Sequence, residues 1–190
     1  MHRNIIPHIR NFVDLTEQEV SVLNKLAVTH HLRKKEFIHQ EGRICRQLFF
    51  VEKGCLRMYF VNKNGVEQIT QFALEGWWIS DYQSFTNDLP SEYSIQAVEE
   101  SRIVSFDILN FEQLLREIPQ LERYFRMTMQ KAAAGSQLRS KLLYEMSKEE
   151  FYLHFSTSFP EFMLRVPQYM IASYLGLTPE YLSELRKKRP

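Results

Sequence analysis

The last 25 residues, VPQYMIASYLGLTPEYLSELRKKRP, constrain the fold more than any other part of the chain. They predict two short helices joined by a glycine turn. Gly176 follows the first helix, predicted over 168–175, and glycine readily takes the positive φ that ends a helix. Thr178 can cap the second helix, and Pro179 suits its first position. This pattern is typical of a helix-turn-helix, whose second helix enters the DNA major groove in DNA-binding examples; an ordinary helical hairpin is the alternative.

Positive charge gathers at the end of this segment. From Arg165 onward the chain has five basic and two acidic residues, an excess of three positive charges in a chain whose net charge is +1. The polar residues of the second helix are of types that meet base edges, and cations at its end are of the type that binds phosphate. The predicted DNA-binding residues are Thr178, Pro179, Glu180, Ser183, Glu184, Arg186, Lys187, Lys188 and Arg189.

The composition limits the class of protein. At 190 residues, with 44% hydrophobic and 25% charged residues, the chain can bury one average core or two small ones. A net charge of +1 restricts any nucleic-acid contact to a local surface. Cys45 and Cys55 are too few for a disulfide scaffold or a four-thiolate iron–sulfur sensor, and they suit a reducing compartment. With no secretory signal and no apolar run of roughly 20 residues, we expect a cytoplasmic protein without membrane contact.

Ahead of the C-terminal segment, the sequence predicts an entry helix and then closely spaced strands. Thr16 and Glu19 form a capping-box pattern, and helical spacing continues over 16–27. The apolar period then changes to two, and Asn64-Gly65 between two alternating runs is a strong hairpin signal. Short strands with glycine at the corners predict a β-sandwich or jelly roll. The eight predicted strands are 29–32, 37–39, 47–52, 56–61, 68–74, 77–80, 93–98 and 102–106.

From Asp107 the helical period returns. Asp107 can cap a helix that ends near Ile118-Pro119, and a longer helical pattern runs over 120–144. The longer pattern has a heptad-like seam with small residues that favour close approach of a second backbone, so we predict a dimerisation helix; a helix lying on its own sheet is the alternative. We also predict a helix over 148–155 and a loop over 156–160. The seam consists of Leu121, Phe125, Thr128, Ala132, Gly135 and Leu142, and Arg139 interrupts it.

Motifs along nearly the whole chain resemble those of the Crp/Fnr family of bacterial transcription regulators. They are FFVEKGCLRMYF at 49–60, LEGWWIS at 74–80 and IASYLGLTPEYLSELRKK at 171–188. The resemblance implies an α+β fold: an N-terminal β jelly roll (double-stranded β-helix) over 1–118 as a cyclic-nucleotide-binding-like sensor, a long dimerisation helix over 119–145, and a C-terminal helix-turn-helix domain over 146–190. It also implies a homodimer that binds double-stranded DNA at a palindromic operator and is controlled by a small effector.

The resemblance marks where an effector would bind, and there the sequence departs from the cAMP-binding members. In those members a Glu holds the ribose hydroxyl and an Arg pairs with the cyclic phosphate. The matching positions are Asp81 and Ser91, and no Arg or Lys lies between Asn64 and Glu100. Because nothing local would neutralise the phosphate, we expect no cAMP binding of the usual kind. The predicted pocket residues are Trp78, Ser80, Asp81, Ser91, Glu92, Ser136 and Gln137, the last two by their position on the dimerisation helix.

Two further departures concern the reading of DNA. Family members commonly carry Arg near the middle of the recognition helix, where this chain has Glu184, so we expect a different operator. A β-hairpin wing commonly follows that helix, and the sequence has instead the basic cluster 186–189. The affinity for DNA would then depend on contacts between this cluster and phosphate groups, and such contacts are sensitive to salt.

Other functions have less support in the sequence. A cupin-type metal enzyme needs histidines on facing central strands, and none of the six histidines falls there. With no Ser-His-Asp, Cys-His or phosphate-binding glycine pattern, we predict no catalytic residue, no metal and no cofactor beyond an unidentified effector. Of the pair Trp77-Trp78, we expect the first in the core and the second at a pocket or over the sheet. A regulatory module that acts through a protein partner without DNA binding is the second hypothesis.

Overall fold

The computed structural model describes residues 4–187 and has the expected α+β architecture. The chain forms two compact units. The first contains the residues up to Phe60 together with Thr70–Thr128, and the second contains Val61–Ile69 together with the residues from Met129 onward. The predicted domain boundaries after 118 and 145 stay predictions. No helix among residues 4–187 has the length and apolarity needed to cross a membrane.

The strands form a jelly roll of two four-stranded sheets. They are β1 (Val28–Leu32), β2 (Phe37–His39), β3 (Gln47–Lys53), β4 (Leu56–Val61), β5 (Glu67–Ala73), β6 (Trp78–Ile79), β7 (Ser94–Ala97) and β8 (Ser101–Asp107). One sheet has the order β1-β8-β3-β6, and the other has the order β2-β7-β4-β5. The eight predicted strands are therefore confirmed, because each predicted end lies within one residue of the observed end.

Helices of the first unit pack around these sheets. The capping box of Thr16 and Glu19 is confirmed, and the Asp107 carboxylate accepts from the Asn110 N–H at 2.9 Å at the start of its helix. Two short helices of six residues each escape prediction, since so few residues show no helical period. The helices are α1 (Ile5–Arg10), α2 (Glu17–Leu26), α3 (Tyr82–Asn87) and α4 (Ile108–Glu117), and α5 (Leu121–Glu145) begins in this unit.

Apolar side chains of both sheets meet in one core. Phe49 and Val51 of β3 pack with Leu56 of β4 and Ile95 of β7, and all four are at most 1% exposed. Side chains alternate along a strand, so the neighbouring Phe50 points to the opposite face of its sheet. The sandwich interior is therefore filled by these apolar residues.

The expectation for the two tryptophans is confirmed for Trp78, which lies over the sheet, and is wrong for Trp77, which lies outside the core. Trp78 is 5% exposed and Trp77 is 53% exposed. β6 pairs with β3 so that Trp78 lies opposite Phe50, on the sheet face away from the sandwich core. There the Trp78 ring lies 5.1 Å from that of Phe125, and its Nε1–H donates to the Tyr124 hydroxyl at 2.8 Å. The expected core position of Trp77 is wrong because β6 begins only at Trp78, so the Trp77 ring precedes the strand and stays exposed.

The second unit contains the C-terminal helices. They are α6 (Lys148–Ser158), α7 (Pro160–Arg165), α8 (Gln168–Leu175) and α9 (Pro179–Lys187). The two helices predicted after residue 166 are confirmed. The predicted loop over 156–160 is wrong, since α6 continues to Ser158 and α7 begins two residues later. The Phe155 ring lies 5.1 Å from that of Phe159 and 5.5 Å from that of Phe162, and these aromatic contacts hold the two helices at a tight junction.

Helix α5 contributes to both units, so the first part of its predicted seam lies in the first unit and the rest lies in the second unit. Leu121 and Phe125 are 0% and 9% exposed in the first unit, so their place in a seam between two chains is wrong. The alternative of a helix lying on its own sheet holds for this part of α5. Farther along, Ala132 and Gly135 are exposed, whereas Arg139 is half-buried.

Candidate functional site

The two C-terminal helices form a helix-turn-helix with the expected turn. Gly176 ends α8 in the left-handed region with φ of 69°. The Leu177 N–H donates to the Ala172 carbonyl at 2.8 Å, which satisfies one free carbonyl in the last turn of α8. Thr178 then caps α9, because its hydroxyl accepts from the Tyr181 N–H at 3.2 Å. These bonds fix a sharp turn between the two helices.

A small apolar core determines which face of α9 meets solvent. Leu182 and Leu185 of α9 are buried, as are Ile171 and Leu175 of α8 and Leu177 in the turn. Seven of the residues predicted to bind DNA are exposed on the remaining surface, and the last two lie outside the described residues. The exposed seven are Thr178, Pro179, Glu180, Ser183, Glu184, Arg186 and Lys187, and the two outside are Lys188 and Arg189.

Charge is distributed unevenly along α9. Glu180 lies in its first turn, and Arg186 and Lys187 lie in its last turn. These positions complement the helix dipole, so each charge stabilises the helix where it stands. Within residues 4–187 neither of the two cations has an ion-pair partner. Their charges are therefore available to an external anion such as phosphate.

Three of the seven predicted effector residues meet at the start of α3. Asp81 caps this helix, accepting from the Ser84 N–H at 3.2 Å, and it also accepts from the Ser91 hydroxyl at 2.7 Å. The neighbouring Ser80 hydroxyl donates to the Gln47 carbonyl at 2.8 Å. All three predicted residues are at most 5% exposed. The Asp81 carboxylate is thus hydrogen-bonded to the first turn of α3 and to Ser91.

The other four predicted effector residues do not join this cluster. Trp78 lies in the aromatic cluster on the other face of its sheet, and Glu92 is exposed. Ser136 and Gln137 are exposed on α5, in the second unit. Their role in effector binding stays a prediction.

Comparison with known proteins gives relatives across most of the chain. The family model "Cyclic nucleotide-binding domain" matches residues 29–117. The fumarate and nitrate reduction regulatory protein of Vibrio cholerae is 27% identical over 183 residues, which cover 90% of this chain and 72% of that protein. The transcriptional activator protein Anr of Pseudomonas aeruginosa is 25% identical over 185 residues, covering 91% and 75%. The structure of FixK2 from Bradyrhizobium japonicum superimposes with a TM-score of 0.72 at 20% identity, over 85% of this chain and 83% of that one.

This chain belongs to the Crp/Fnr family of transcription regulators. The family resemblance inferred from the motifs is therefore confirmed. Its jelly roll lies largely within the matched cyclic nucleotide-binding region, and its α8 and α9 follow as the helix-turn-helix.

One buried cation of this Crp/Fnr chain was missed by sequence reasoning. Arg57 of β4 is 4% exposed, and its Nε and Nη2 both donate to Gln96 Oε1 at 3.0 and 2.6 Å. Its guanidinium carbon lies 4.1 Å from the centre of the Tyr59 ring. The signal in the sequence is a single Arg inside the alternating run 56–61. This cation is held by its own sheet.

The jelly roll also contains a cavity of about 290 Å³, and two of the residues that line it, Cys45 and Gln47, contact the predicted effector residue Ser80. Burial lowers the pKa of His39, which lines it, so the imidazole is neutral at pH 7. No group of three His, Cys, Asp or Glu side chains within residues 4–187 is arranged to hold a metal ion. The cavity is lined by His39, Ile44, Cys45, Arg46, Gln47, Phe49 and Asp107.

Proposed function

We propose that this Crp/Fnr chain is a DNA-binding regulator, not an enzyme, and that it acts as a homodimer that reads a palindromic operator with α9. The observation that carries the proposal is the construction of α9. The helix is capped by Thr178, fixed from one side by the buried Leu182 and Leu185, and polar and basic on its exposed side. This is the arrangement that a recognition helix needs in the major groove.

The homodimer is proposed from the second half of α5. Ala132 and Gly135 are exposed there, and a Cβ added at Gly135 would meet no atom within 4 Å. Leu138 and Leu143 are 55% and 43% exposed on the same helix. Small and apolar side chains together favour close packing of a second α5, which would bury surface that a single chain leaves in water.

We propose further that the effector is not cAMP. Ser91 stands where cAMP-binding members of the family have the Arg that pairs with the cyclic phosphate, and its hydroxyl donates to Asp81. A carboxylate and a neutral hydroxyl offer the phosphate no positive charge. Isothermal titration calorimetry with cAMP should show no complex in the micromolar range, and a complex that tight would contradict this part of the proposal.

DNA binding is tested by fluorescence anisotropy on duplexes from the promoter of the protein's own gene. Binding should weaken steeply between about 50 and 200 mM salt, because phosphate contacts release counterions. Lys187→Ala should weaken binding and reduce the salt slope by about one. Lys25→Ala is the matched control, since Lys25 lies in the last turn of α2 as Lys187 lies in the last turn of α9.

The second hypothesis, a module that acts through a protein partner, has one supporting observation. Leu164 and Phe159, at or beside α7, are 88% and 48% exposed, and such apolar surface suits a protein contact. The same titration separates the two functions. Absence of salt-sensitive binding, together with equal behaviour of the Lys187 and Lys25 variants, would favour the partner-binding module.

A further inference from the structure

Arg139 interrupts the apolar seam of α5, and the structure shows what this side chain contacts. Its Nη2 donates to the Tyr174 carbonyl at 2.7 Å. Its guanidinium carbon also lies 4.3 Å from the centre of the Tyr174 ring. The carbonyl belongs to the last turn of α8, where carbonyls lack partners within the helix and where the helix dipole favours a cation. One side chain thus binds both the backbone and the ring of a single residue.

The same turn of α8 is held from a second side by the hairpin of β4 and β5. The Ser173 hydroxyl accepts from the Ile69 N–H at 3.0 Å and donates to the Glu67 carbonyl at 2.8 Å. The Gln68 side-chain amide donates to the Ser173 carbonyl. β5 is the edge strand of its sheet. A single hydroxyl thus binds two backbone groups of this edge strand, as acceptor from one and as donor to the other.

Both contacts act just before the turn that sets the direction of α9. Tyr174 is followed within two residues by Gly176, and Thr178 then caps α9. We propose that Arg139 and Ser173 are positioning residues of the helix-turn-helix: they fix the last turn of α8 against α5 and against the β4–β5 hairpin. The proposal rests on the proposed DNA binding by α9, because its consequence is a fixed orientation of α9 relative to the dimerisation helix.

A purely local role of Arg139 in the seam makes the opposite prediction. Leucine at this position would continue the apolar spacing of α5, so Arg139→Leu would strengthen pairing of two helices and leave DNA binding intact. For a positioning residue, the same substitution loosens α8 and weakens DNA binding while the dimer persists. The two roles therefore differ in the sign of their effect.

The test compares Arg139→Leu with Lys141→Leu, which makes the same change in charge on the exposed side of α5. Hydrogen exchange of the amides in α8 and α9 should become about tenfold faster in the first variant and stay unchanged in the second. DNA affinity should fall about tenfold in the first variant alone, in line with loss of a cation–π contact and a charged hydrogen bond. Arg139→Lys keeps the charge near the ring and should recover part of both effects.

Ser173→Ala provides an independent arm, because alanine suits a helix and removes only the hydroxyl bonds. It should speed exchange in α8 by a smaller factor. Unchanged exchange in both Arg139→Leu and Ser173→Ala would overturn the positioning role. Hydrogen exchange does not depend on DNA, so a wild-type chain that fails to bind DNA would refute the proposed function and leave the exchange measurement to decide the positioning role.

Discussion

Gly54, between β3 and β4, gives a sharp test of how tightly the jelly roll is built. Its φ is +98°, and a Cβ added there would lie 2.2 Å from Ser101 Oγ and 2.8 Å from the Glu100 carbonyl oxygen. Ser101 is buried, and its hydroxyl accepts from the Cys55 N–H and donates to the Glu99 carbonyl, so it cannot swing aside freely. Gly54→Ala therefore forces a clash as well as a strained backbone.

The expected loss is the sum of these two effects. A left-handed conformation costs an ordinary residue about 1–2 kcal/mol. Forcing an extra methyl group into a filled space costs about 1–3 kcal/mol more. Gly42→Ala separates the two effects, because Gly42 also has positive φ, +83°, yet a Cβ there would meet no atom within 4 Å. Gly54→Ala should therefore lower the free energy of unfolding by about 2–5 kcal/mol, against about 1–2 kcal/mol for Gly42→Ala.

Urea unfolding followed by tryptophan fluorescence suits this comparison. Trp77 and Trp78 both belong to the first unit, so the signal reports the jelly roll and not the C-terminal helices. Equal destabilisation by the two substitutions would contradict this expectation, because it would show that the close packing around Gly54 contributes nothing.

Three further results are expected from the same unfolding assay. Tyr124→Phe should cost about 1–3 kcal/mol, because the Trp78 Nε1–H is left buried without its acceptor. Burial lowers the pKa of His30 and His39 below 6.5, so the unfolded chain binds more protons than the folded chain as the pH falls. The free energy of unfolding should therefore decrease between about pH 7.5 and pH 5.5, and His39→Gln should make this decrease smaller. Thr16→Ala removes the cap of α2 and should cost about 1 kcal/mol.

The parts of the fold that sequence predicts are those encoded by neighbouring residues. The Asn64-Gly65 turn, the capping box at Thr16 and the glycine at Gly176 each act within a few positions, and each is found where it was expected. The strands follow from alternation of apolar side chains for the same reason. Local chemistry is enough to place an element along the chain.

The parts that sequence does not predict depend on contacts between distant positions. Trp77 lies outside the core because β6 begins only at Trp78, and a strand of two residues gives no signal of where its pairing with β3 starts. Asp81 caps a six-residue helix and binds Ser91, so its carboxylate has a structural use that the family pattern does not suggest. In the sequence, Arg139 only interrupts the apolar seam of α5, and its contact with Tyr174, 35 positions away, is visible only in the structure.

DNA selection from a random duplex pool, followed by measurement of the stoichiometry of the selected complex, decides whether the chain reads DNA as a homodimer. Two chains per duplex are expected, on an inverted repeat whose half-sites are about 34 Å apart, one helical turn, because two copies of α9 must enter successive major grooves on one face. Recovery of no preferred sequence, or a selected site that binds one chain without symmetry, would contradict a homodimer that reads DNA through α9.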